Sequence, residues 1–219
     1  MTQPQDRPRD KPQDRPRLAL IGGGGHCRSC LDVIEAQGRY QVAAVLDLPE
    51  RVGQEVLGHP ITGTEADIPE LARAGFEFLV TLGQIHKPQR RMEIFAAILA
   101  AGGRPATVIS PLARVSPLAR LGAGTIVMHF ALVNAGAEVG RNCILNSHCL
   151  VEHDVRVGDH CHVSTGAILN GGAALGEGSF LGSRSVVREG LRLGRRVVVG
   201  MGAAVFQPLA DGQWLRGDK

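Results

Sequence analysis

The chain is poor in aromatic residues and lacks long apolar runs. One Trp, one Tyr and six Phe occur among 219 residues, so any core must be built mainly from aliphatic side chains. No apolar run approaches the ~18 residues of a membrane-spanning helix, and the N-terminus lacks the apolar stretch of a signal peptide. The net charge is only +3, which does not indicate nucleic-acid binding. We therefore expect a cytoplasmic protein that binds neither membrane nor nucleic acid, with its five cysteines as reduced thiols.

The first half of the chain has two kinds of sequence. Residues 1–17 repeat the motif QDRPR and contain almost no apolar side chains, which predicts a disordered tail. From Leu18 onward, short apolar runs alternate with segments of helical periodicity, which predicts a small Rossmann-like α/β domain with a parallel sheet over residues 18–105. The strands are expected at 18–21, 42–46 and 76–82, and the helices at 26–36, 68–74 and 90–101.

The second half of the chain follows a six-residue period. Every sixth residue from Ile109 to Val205 is aliphatic, which gives 17 consecutive matches, and glycine recurs every eighteen residues at 122, 140, 158, 176 and 194. Six residues per face and three faces per coil are the signature of a left-handed parallel β-helix. We predict this all-β domain over residues 106–206, followed by a C-terminal extension over residues 207–219. Cys143, Cys149 and Cys161 occupy small inward positions of the repeat and are predicted to be core residues.

One segment of the repeat is unusually rich in polar side chains. Residues 146–154 contain two histidines, two acids and an asparagine. His153 lies two residues after the inward-facing Val151, so it is expected to face outward near a corner of the helix. The adjacent Asp154 could orient the imidazole and raise its basicity, which suits a general base. The residues alone leave open that His153 is an ordinary surface histidine.

The histidines and cysteines also allow two other interpretations, a metal site and a redox site. His148 and His153 have the spacing of two zinc ligands in a β-helical carbonic anhydrase, but the third position is Leu112, and a catalytic zinc needs three protein ligands. No metal is therefore expected. Cys27 and Cys30 have redox spacing but are expected to pack in a helix. A non-catalytic trimeric scaffold stays open as a further alternative.

Several motifs together resemble one bacterial family. They are a GxGGH sequence after the first strand, an Asp that ends the second strand, and hexapeptides that contain NSxxxxEHD and HCHVSTGA. These motifs resemble the family of sialic acid O-acetyltransferases and nucleotide-linked amino-sugar N-acetyltransferases, over residues 18–206. The resemblance implies transfer of acetyl from acetyl-CoA to the amino group of a nucleotide-linked 4-amino-4,6-dideoxy sugar. O-acetylation of a sialic-type sugar is the alternative.

The resemblance also implies an assembly and a coenzyme site. It implies a homotrimer with acetyl-CoA between neighbouring β-helices, and the outward apolar residues Met128, Phe130 and Ile144 are expected at or near the three-fold interface. His153 resembles the general base and Asp154 its acidic partner. The positions that resemble coenzyme contacts are His162, Gly171, Ser183 and Met201, with Gly171 as a backbone donor at the thioester.

The nucleotide-linked amino sugar is expected to bind the α/β domain. Gly24, Gly25 and His26 resemble residues that contact the diphosphate and sugar, which suits the amides at a helix N-terminus. Asn146 resembles a residue that lines the acceptor site. The remaining positions expected to face the substrate are Asp47, Leu48 and Gln84, and at Leu48 and Gln84 the sequence departs from the family pattern.

Overall fold

The computed structural model describes residues 15–217 and contains an N-terminal α/β domain. Its six-stranded sheet has the order β3-β4-β2-β1-β5-β6, and all neighbouring strands are parallel except the β3–β4 hairpin. Short 3₁₀ turns occur at Pro49–Arg51 and Glu65–Asp67. The elements are β1 Arg17–Ile21, α1 Gly25–Gln37, β2 Gln41–Leu46, β3 Glu55–Val56, β4 His59–Gly63, α2 Ile68–Arg73, β5 Glu77–Val80, α3 Gln89–Ala100 and β6 Arg104–Pro105.

The predicted elements of this domain form as the sequence pattern indicates. Residues 18–21 of β1 are buried, because both faces of a central parallel strand are covered by other elements. Helix α1 buries Cys27, Cys30 and Leu31 on one face. Gly38 caps the end of the helix, because its left-handed backbone lets its N–H reach the carbonyl of Ile34. The two cysteines are therefore packed inside the domain, and burial raises the pKa of each thiol.

The second domain confirms the predicted left-handed β-helix. Each strand is two residues long, and the strands up to Val205 pair in parallel at a spacing of eighteen residues, for example Ile126 with Ile144. The last coil is shorter, so Val198 pairs with Trp214. The first face consists of β7 Val108–Ile109, β10 Ile126–Val127, β13 Ile144–Leu145, β16 His162–Val163, β19 Phe180–Leu181, β22 Val198–Val199 and β24 Trp214–Leu215. The second consists of β8 Arg114–Val115, β11 Leu132–Val133, β14 Leu150–Val151, β17 Ile168–Leu169, β20 Val186–Val187 and β23 Ala204–Val205. The third consists of β9 Arg120–Leu121, β12 Glu138–Val139, β15 Arg156–Val157, β18 Ala174–Leu175 and β21 Arg192–Leu193.

The interior of the β-helix contains the aliphatic residues of the six-residue period. The second residue of each strand points inward, and Cys143, Cys149 and Cys161 fill small positions of the same core, as predicted. The repeated glycines leave room for the stacked coils: a Cβ on Gly122 would lie 2.5 Å from the carbonyl carbon of Gly140. The six-residue period therefore reflects side-chain packing, and the eighteen-residue period reflects close backbone stacking.

The α/β domain covers the first face of the β-helix. Outward residues of that face, including Ile126 and Ile144, are buried in one cluster with Leu31 and Ile34 of α1. The expectation that Met128 and Ile144 lie at or near a three-fold interface is therefore wrong, because both are fully buried against the chain's own N-terminal domain. Phe130, by contrast, remains 55% exposed.

Both ends of the described chain join the folded domains. Strand β1 begins at Arg17, the last residue of the segment predicted to be a tail, and the Arg17 guanidinium lies 4.4 Å above the ring centroid of Phe76. The tail prediction for residues 1–14 falls outside the described residues. After Phe206, Leu209 bridges to Leu193 and β24 pairs with β22, so the stack of coils continues into the C-terminal extension. Among the helices described, none is long and apolar enough to span a membrane.

Candidate active site

His153 lies at the corner between the second and third faces, after the inward Val151. The corner holds the imidazole away from the core, and its side chain is 65% exposed. Its Nδ1 lies 3.0 Å from Oδ2 of Asp154. Asp154 has a left-handed backbone (φ 59°), at a corner position that is Gly in the coils before and after it. This conformation disfavours most side chains by about 1 kcal/mol but is tolerated by Asp, and other corners of the β-helix also place non-glycine residues in it, among them His148 and His160.

The Asp154 carboxylate determines the protonation behaviour of His153. Its hydrogen bond to the imidazole raises the pKa of His153 above the ordinary value, because the carboxylate stabilises the protonated ring. In the neutral ring, Nδ1–H donates to Asp154, so the lone pair is on Nε2. His153 can therefore accept a proton through Nε2 near neutral pH.

A second pair of residues holds the backbone of this corner. The Asn134 amide donates to Oε2 of Glu152 over 2.8 Å, and the same oxygen accepts the His153 backbone N–H over 3.2 Å. Asn134 lies one coil before Glu152, in the same position of the repeat. The sequence shows Glu152 beside His153, but the contribution of Asn134 was missed. The eighteen-residue spacing between Asn134 and Glu152 is the signal that could have found it.

Gly171 lies one coil after His153 and directly beneath its ring. A Cβ at Gly171 would come within 2.6 Å of both Cε1 and Nε2 of His153, so only glycine leaves room for the imidazole in this position. Within residues 15–217 the Gly171 N–H has no hydrogen-bond acceptor, whereas its carbonyl accepts from Gly190. A candidate general base and a free backbone donor thus lie side by side, an arrangement suited to acyl transfer.

The Gly171 contact gives a sharp test of the ring position. We expect Gly171→Ala to reduce turnover at least about 10-fold, because a new methyl group displaces the His153 ring from its reactive position. The melting temperature should change little, since the displaced ring is exposed. Steady-state kinetics and thermal melts would measure the two effects.

Gly172→Ala is the matched control. Gly172 has a left-handed backbone (φ 67°), and a Cβ there would lie 4.0 Å from the Cα of Gly190, an ordinary contact. Alanine there should therefore destabilise the fold by about 1 kcal/mol and leave the ring in place. Activity near wild type in Gly171→Ala would contradict the role of the ring position.

The glycine-rich turn after β1 forms the start of α1. Gly24 and Gly25 are exposed, with open space around both, and the first turn of α1 contains no acidic side chain. The amides there are available to an anion. Asp47 uses Oδ2 to accept from the Gly23 N–H and from Arg51, each over 2.7 Å, and Oδ1 to accept from the Leu48 N–H over 2.8 Å. Asp47 therefore fixes the turn, while Leu48 remains 51% exposed.

Four predicted site residues come together where the two domains meet. His162 Nδ1 donates to the Gln84 carbonyl over 2.6 Å, and its Nε2 accepts from the Asn146 amide over 3.1 Å. The His26 ring lies 6.3 Å from that of His162, centroid to centroid. His162, predicted as a coenzyme contact, thus lies buried among the predicted substrate contacts.

Burial keeps both histidines of this cluster neutral. Desolvation, with the nearby Arg91 charge, lowers the pKa of His26 to about 3 and that of His162 to about 4. Within residues 15–217, His26 Nε2 and Gln84 Oε1 are buried without a hydrogen-bond partner. Unsatisfied buried polar atoms are candidates for ligand contacts.

A buried arginine joins the two domains and was missed from the sequence. Arg91 is 2% exposed and donates to the Val80 carbonyl over 2.9 Å and to Oδ1 of Asn142 over 2.8 Å. Burial lowers the pKa of Arg91 to about 10, which leaves it charged at neutral pH. Asn142 also donates to Nδ1 of His160 over 2.9 Å. Arg91 shares the buried face of α3 with Ile94, Phe95 and Ile98, and this helical spacing is the signal that could have found it.

The remaining predicted coenzyme contacts lie at a different corner from His153. Ser183 and Met201 occupy the corner between the first and second faces; the Ser183 hydroxyl lies 3.1 Å from that of Ser164, and Met201 is 76% exposed. His153 lies at the edge opposite the first face, which the N-terminal domain covers. Within one chain the predicted site residues therefore form two separate groups. One group is His153, Asp154 and Gly171, and the other is the cluster around His162.

The chain is similar in sequence and structure to several known proteins. The PglD N-terminal domain matches residues 17–98, and the hexapeptide repeat of succinyl-transferase matches residues 173–207. No curated protein matches the chain. The acetyltransferase domain of PglB from Neisseria gonorrhoeae FA1090, solved in complex with acetyl coenzyme A, is 31% identical; the match covers 93% of this chain and 97% of that one, with a TM-score of 0.85.

Two further solved structures are similar. A histidine-to-asparagine variant of perosamine N-acetyltransferase from Caulobacter crescentus, in complex with CoA and GDP-perosamine, is 32% identical, with 91% and 93% of the two chains covered and a TM-score of 0.85. WeeI from Acinetobacter baumannii AYE is 18% identical, with 91% and 96% covered and a TM-score of 0.81, which shows the fold alone. The family predicted from the motifs is thereby confirmed: the chain belongs to the nucleotide-linked amino-sugar N-acetyltransferase family of left-handed β-helix, hexapeptide-repeat acyltransferases.

Proposed function

We propose that this chain transfers acetyl from acetyl-CoA to the amino group of a nucleotide-linked 4-amino-4,6-dideoxy sugar, with His153 as the general base. The observation that carries the proposal is the contact of the Asp154-paired imidazole with Gly171, whose N–H is free. Two relatives support the substrate class: one was solved with acetyl coenzyme A, and the other with CoA and GDP-perosamine.

The proposed reaction is direct transfer in a ternary complex. The neutral amine attacks the thioester carbonyl while Nε2 of His153 accepts its proton, so that a C–N bond forms. The Gly171 N–H donates to the resulting oxyanion, and one such donor typically contributes ~3 kcal/mol to the transition state. Collapse of the intermediate breaks the C–S bond, and the thiolate leaves as CoA thiol after taking the proton from His153. Asp154 stabilises the imidazolium between these two steps.

The activity can be tested on the full chain with acetyl-CoA and a panel of acceptors. We expect thiol release and an N-acetylated product, identified by mass spectrometry, with a nucleotide-linked 4-amino-4,6-dideoxy sugar. The same sugar with a hydroxyl in place of the amine is the matched control and should release no thiol. Release only with hydroxyl acceptors would support a sialic-type O-acetyltransferase instead, and no release with any sugar would contradict the proposal.

We further propose that the working site is shared between chains of a homotrimer. His153 lies at the edge opposite the face that the N-terminal domain covers, so a neighbour's N-terminal domain is needed to bring the sugar to it. The second face also carries a stripe of half-buried aliphatic side chains suited to an interface: Leu132, Leu150, Ile168 and Val186. The outward positions of the third face are mostly charged: Arg120, Glu138, Arg156 and Arg192.

A mixing experiment tests the shared site. In Gly25→Asp, a carboxylate at the start of α1 should repel the substrate diphosphate without harming the fold, because the space there is open and acids are favoured at a helix N-terminus. Co-expression of Gly25→Asp with His153→Ala should restore activity, since mixed trimers contain intact sites made from two chains. Sedimentation should give about 70 kDa, three times the chain mass of 23.2 kDa. Restoration should fail if each chain has a complete site.

We place the enzyme in the cytoplasm. The cysteines of residues 15–217 are free thiols and all of them are buried, which fits a reducing compartment.

A further inference from the structure

A cavity of about 240 Å³ opens at the carboxyl ends of the central strands of the α/β sheet. Strand β1 has β2 on one side and β5 on the other. The cavity therefore lies where the strand order reverses, with earlier strands added on one side of β1 and later strands on the other. Ligands of open α/β sheets bind in this crevice. The apolar part of its wall comes from four residues, Ile21, Leu46, Leu48 and Leu82. The cavity is smaller than the ~300–1,000 Å³ typical of whole-ligand sites, which suits one planar ring system of a larger ligand.

An ion pair lies at the polar side of this cavity. Glu65 and Arg90 both line it, and Oε1 of Glu65 accepts from Nη2 of Arg90 over 2.5 Å. Arg90 also reaches Oε2 of Glu93 over 3.4 Å, outside the cavity lining. Asp47 lines the cavity too, but its two oxygens already accept from Gly23, Leu48 and Arg51. Glu65 and Arg90 are therefore the charged groups best placed to form hydrogen bonds with the edge of a bound ring.

We infer that this cavity selects a guanine base, so that the substrate is a GDP-linked sugar. The inference rests on the proposed function, in which the α/β domain holds the nucleotide. Guanine presents two adjacent N–H donors at N1 and N2, beside the acceptor O6. A carboxylate has two acceptor oxygens in one plane, which match the donors, and Arg is the usual donor to O6 and N7 of guanine. Glu65 thus supplies the acceptors for N1–H and N2–H, and Arg90 supplies the donor for O6.

Uracil, thymine and adenine fit the pair poorly. Uracil and thymine have a single N–H between two carbonyl oxygens, so one Glu65 oxygen would face a lone pair. Adenine places its N1 lone pair where guanine has a donor. An acceptor left facing another acceptor lowers affinity, and sites built around hydrogen bonds reject analogues that lack the matching donor. The cavity should therefore exclude uracil and thymine nucleotides and also the adenine of the coenzyme.

Calorimetry of the full chain with free nucleoside diphosphates tests the inference without any sugar. GDP and UDP share the ribose and diphosphate, so their difference reports the base. We expect GDP to bind at least about 10-fold more tightly than UDP, dTDP or ADP. Glu65→Gln places an amide donor against a guanine donor and should weaken GDP at least about 10-fold, with UDP unchanged. Glu65 is a partly exposed side chain, and glutamine can still accept from Arg90, so the fold should persist.

Glu93→Gln is the matched control, because Glu93 also pairs with Arg90 but does not line the cavity. It should leave GDP affinity unchanged. Equal binding of GDP and UDP, or equal effects of Glu65→Gln and Glu93→Gln, would overturn the guanine assignment. If GDP binds selectively but no nucleotide-linked amino sugar is acetylated, the proposed function fails and the base assignment stands. If sugars are acetylated without preference for GDP, the reverse holds.

Discussion

Replacement of His153 with alanine is expected to lower turnover at least about 100-fold, with affinity for acetyl-CoA and thermal stability close to wild type. The ring is mostly exposed, so truncation removes little packing. It does remove the atom that accepts the amine proton in the proposed mechanism, Nε2. Initial rates at saturating substrates, with acetyl-CoA binding measured separately, would distinguish an effect on the chemical step from an effect on binding.

The pH dependence of turnover provides a second readout. The base must be neutral, so turnover should rise with pH through the pKa of His153. Because the hydrogen bond to Asp154 raises that pKa, the rising limb should lie above pH 6.5, the ordinary value. Asp154→Asn removes the charge and should move the limb to lower pH with a smaller loss of turnover. In His153→Ala the limb should vanish.

His59→Gln is a suitable control for these measurements. His59 also lies near an acid, with Nε2 3.4 Å from Oε1 of Glu35, but it belongs to β4 of the other domain. Its replacement should leave both turnover and the pH profile unchanged. Near-normal turnover in His153→Ala would show that the base is elsewhere.

The β-helix was predictable because its rule is local and repeated. An aliphatic residue every six positions defines the inward side chains, and glycine every eighteen defines one stacked corner. The same rule predicts which residues meet across coils. His153 and Gly171 are eighteen residues apart, and the structure brings them into contact. The contact between these two residues could therefore be predicted from spacing alone.

Contacts between the two domains could not be predicted in this way. Met128 and Ile144 are outward residues of the repeat, and nothing in the period distinguishes a face covered by the chain itself from one covered by a neighbour. The structure buries both under α1. Likewise, the β3–β4 hairpin was missed, because Glu55–Val56 and His59–Gly63 are short and contain few apolar residues. Their pairing depends on the edge of a sheet formed by distant strands.

The cluster around His162 contains both kinds of contact, one between coils of the β-helix and one between the two domains. Asn146 and His162 belong to successive coils, and their separation of sixteen residues, two short of the eighteen-residue repeat, allows their contact. Gln84 reaches the same histidine from another domain, seventy-eight residues away. Sequence resemblance named all three residues but gave no reason for them to share one buried cluster. The packing of the N-terminal domain on the first face is what brings them together.

A charge inside the β-helix is expected to abolish the fold. Leu175 is buried between Val157 and Leu193 of the adjacent coils, where an aspartate would find no hydrogen-bond donor among aliphatic neighbours. A buried, unpaired carboxylate costs several kcal/mol even after relaxation, against a total stability of roughly 5–15 kcal/mol for typical domains. We therefore expect Leu175→Asp to be insoluble or to melt without a cooperative transition.

The preceding residue of the same strand is the control that makes this test specific. Ala174 points outward, and its neighbours in the ladder are Arg156 and Arg192. An aspartate at 174 would lie between two guanidinium groups in water, which is neutral or stabilising by up to about 1 kcal/mol. Side chains alternate between the two faces of a strand, so a slip of one residue would exchange these outcomes. Cooperative melting of Leu175→Asp near the wild-type temperature, with Ala174→Asp unfolded, would therefore place the aliphatic row on the outside of the coil.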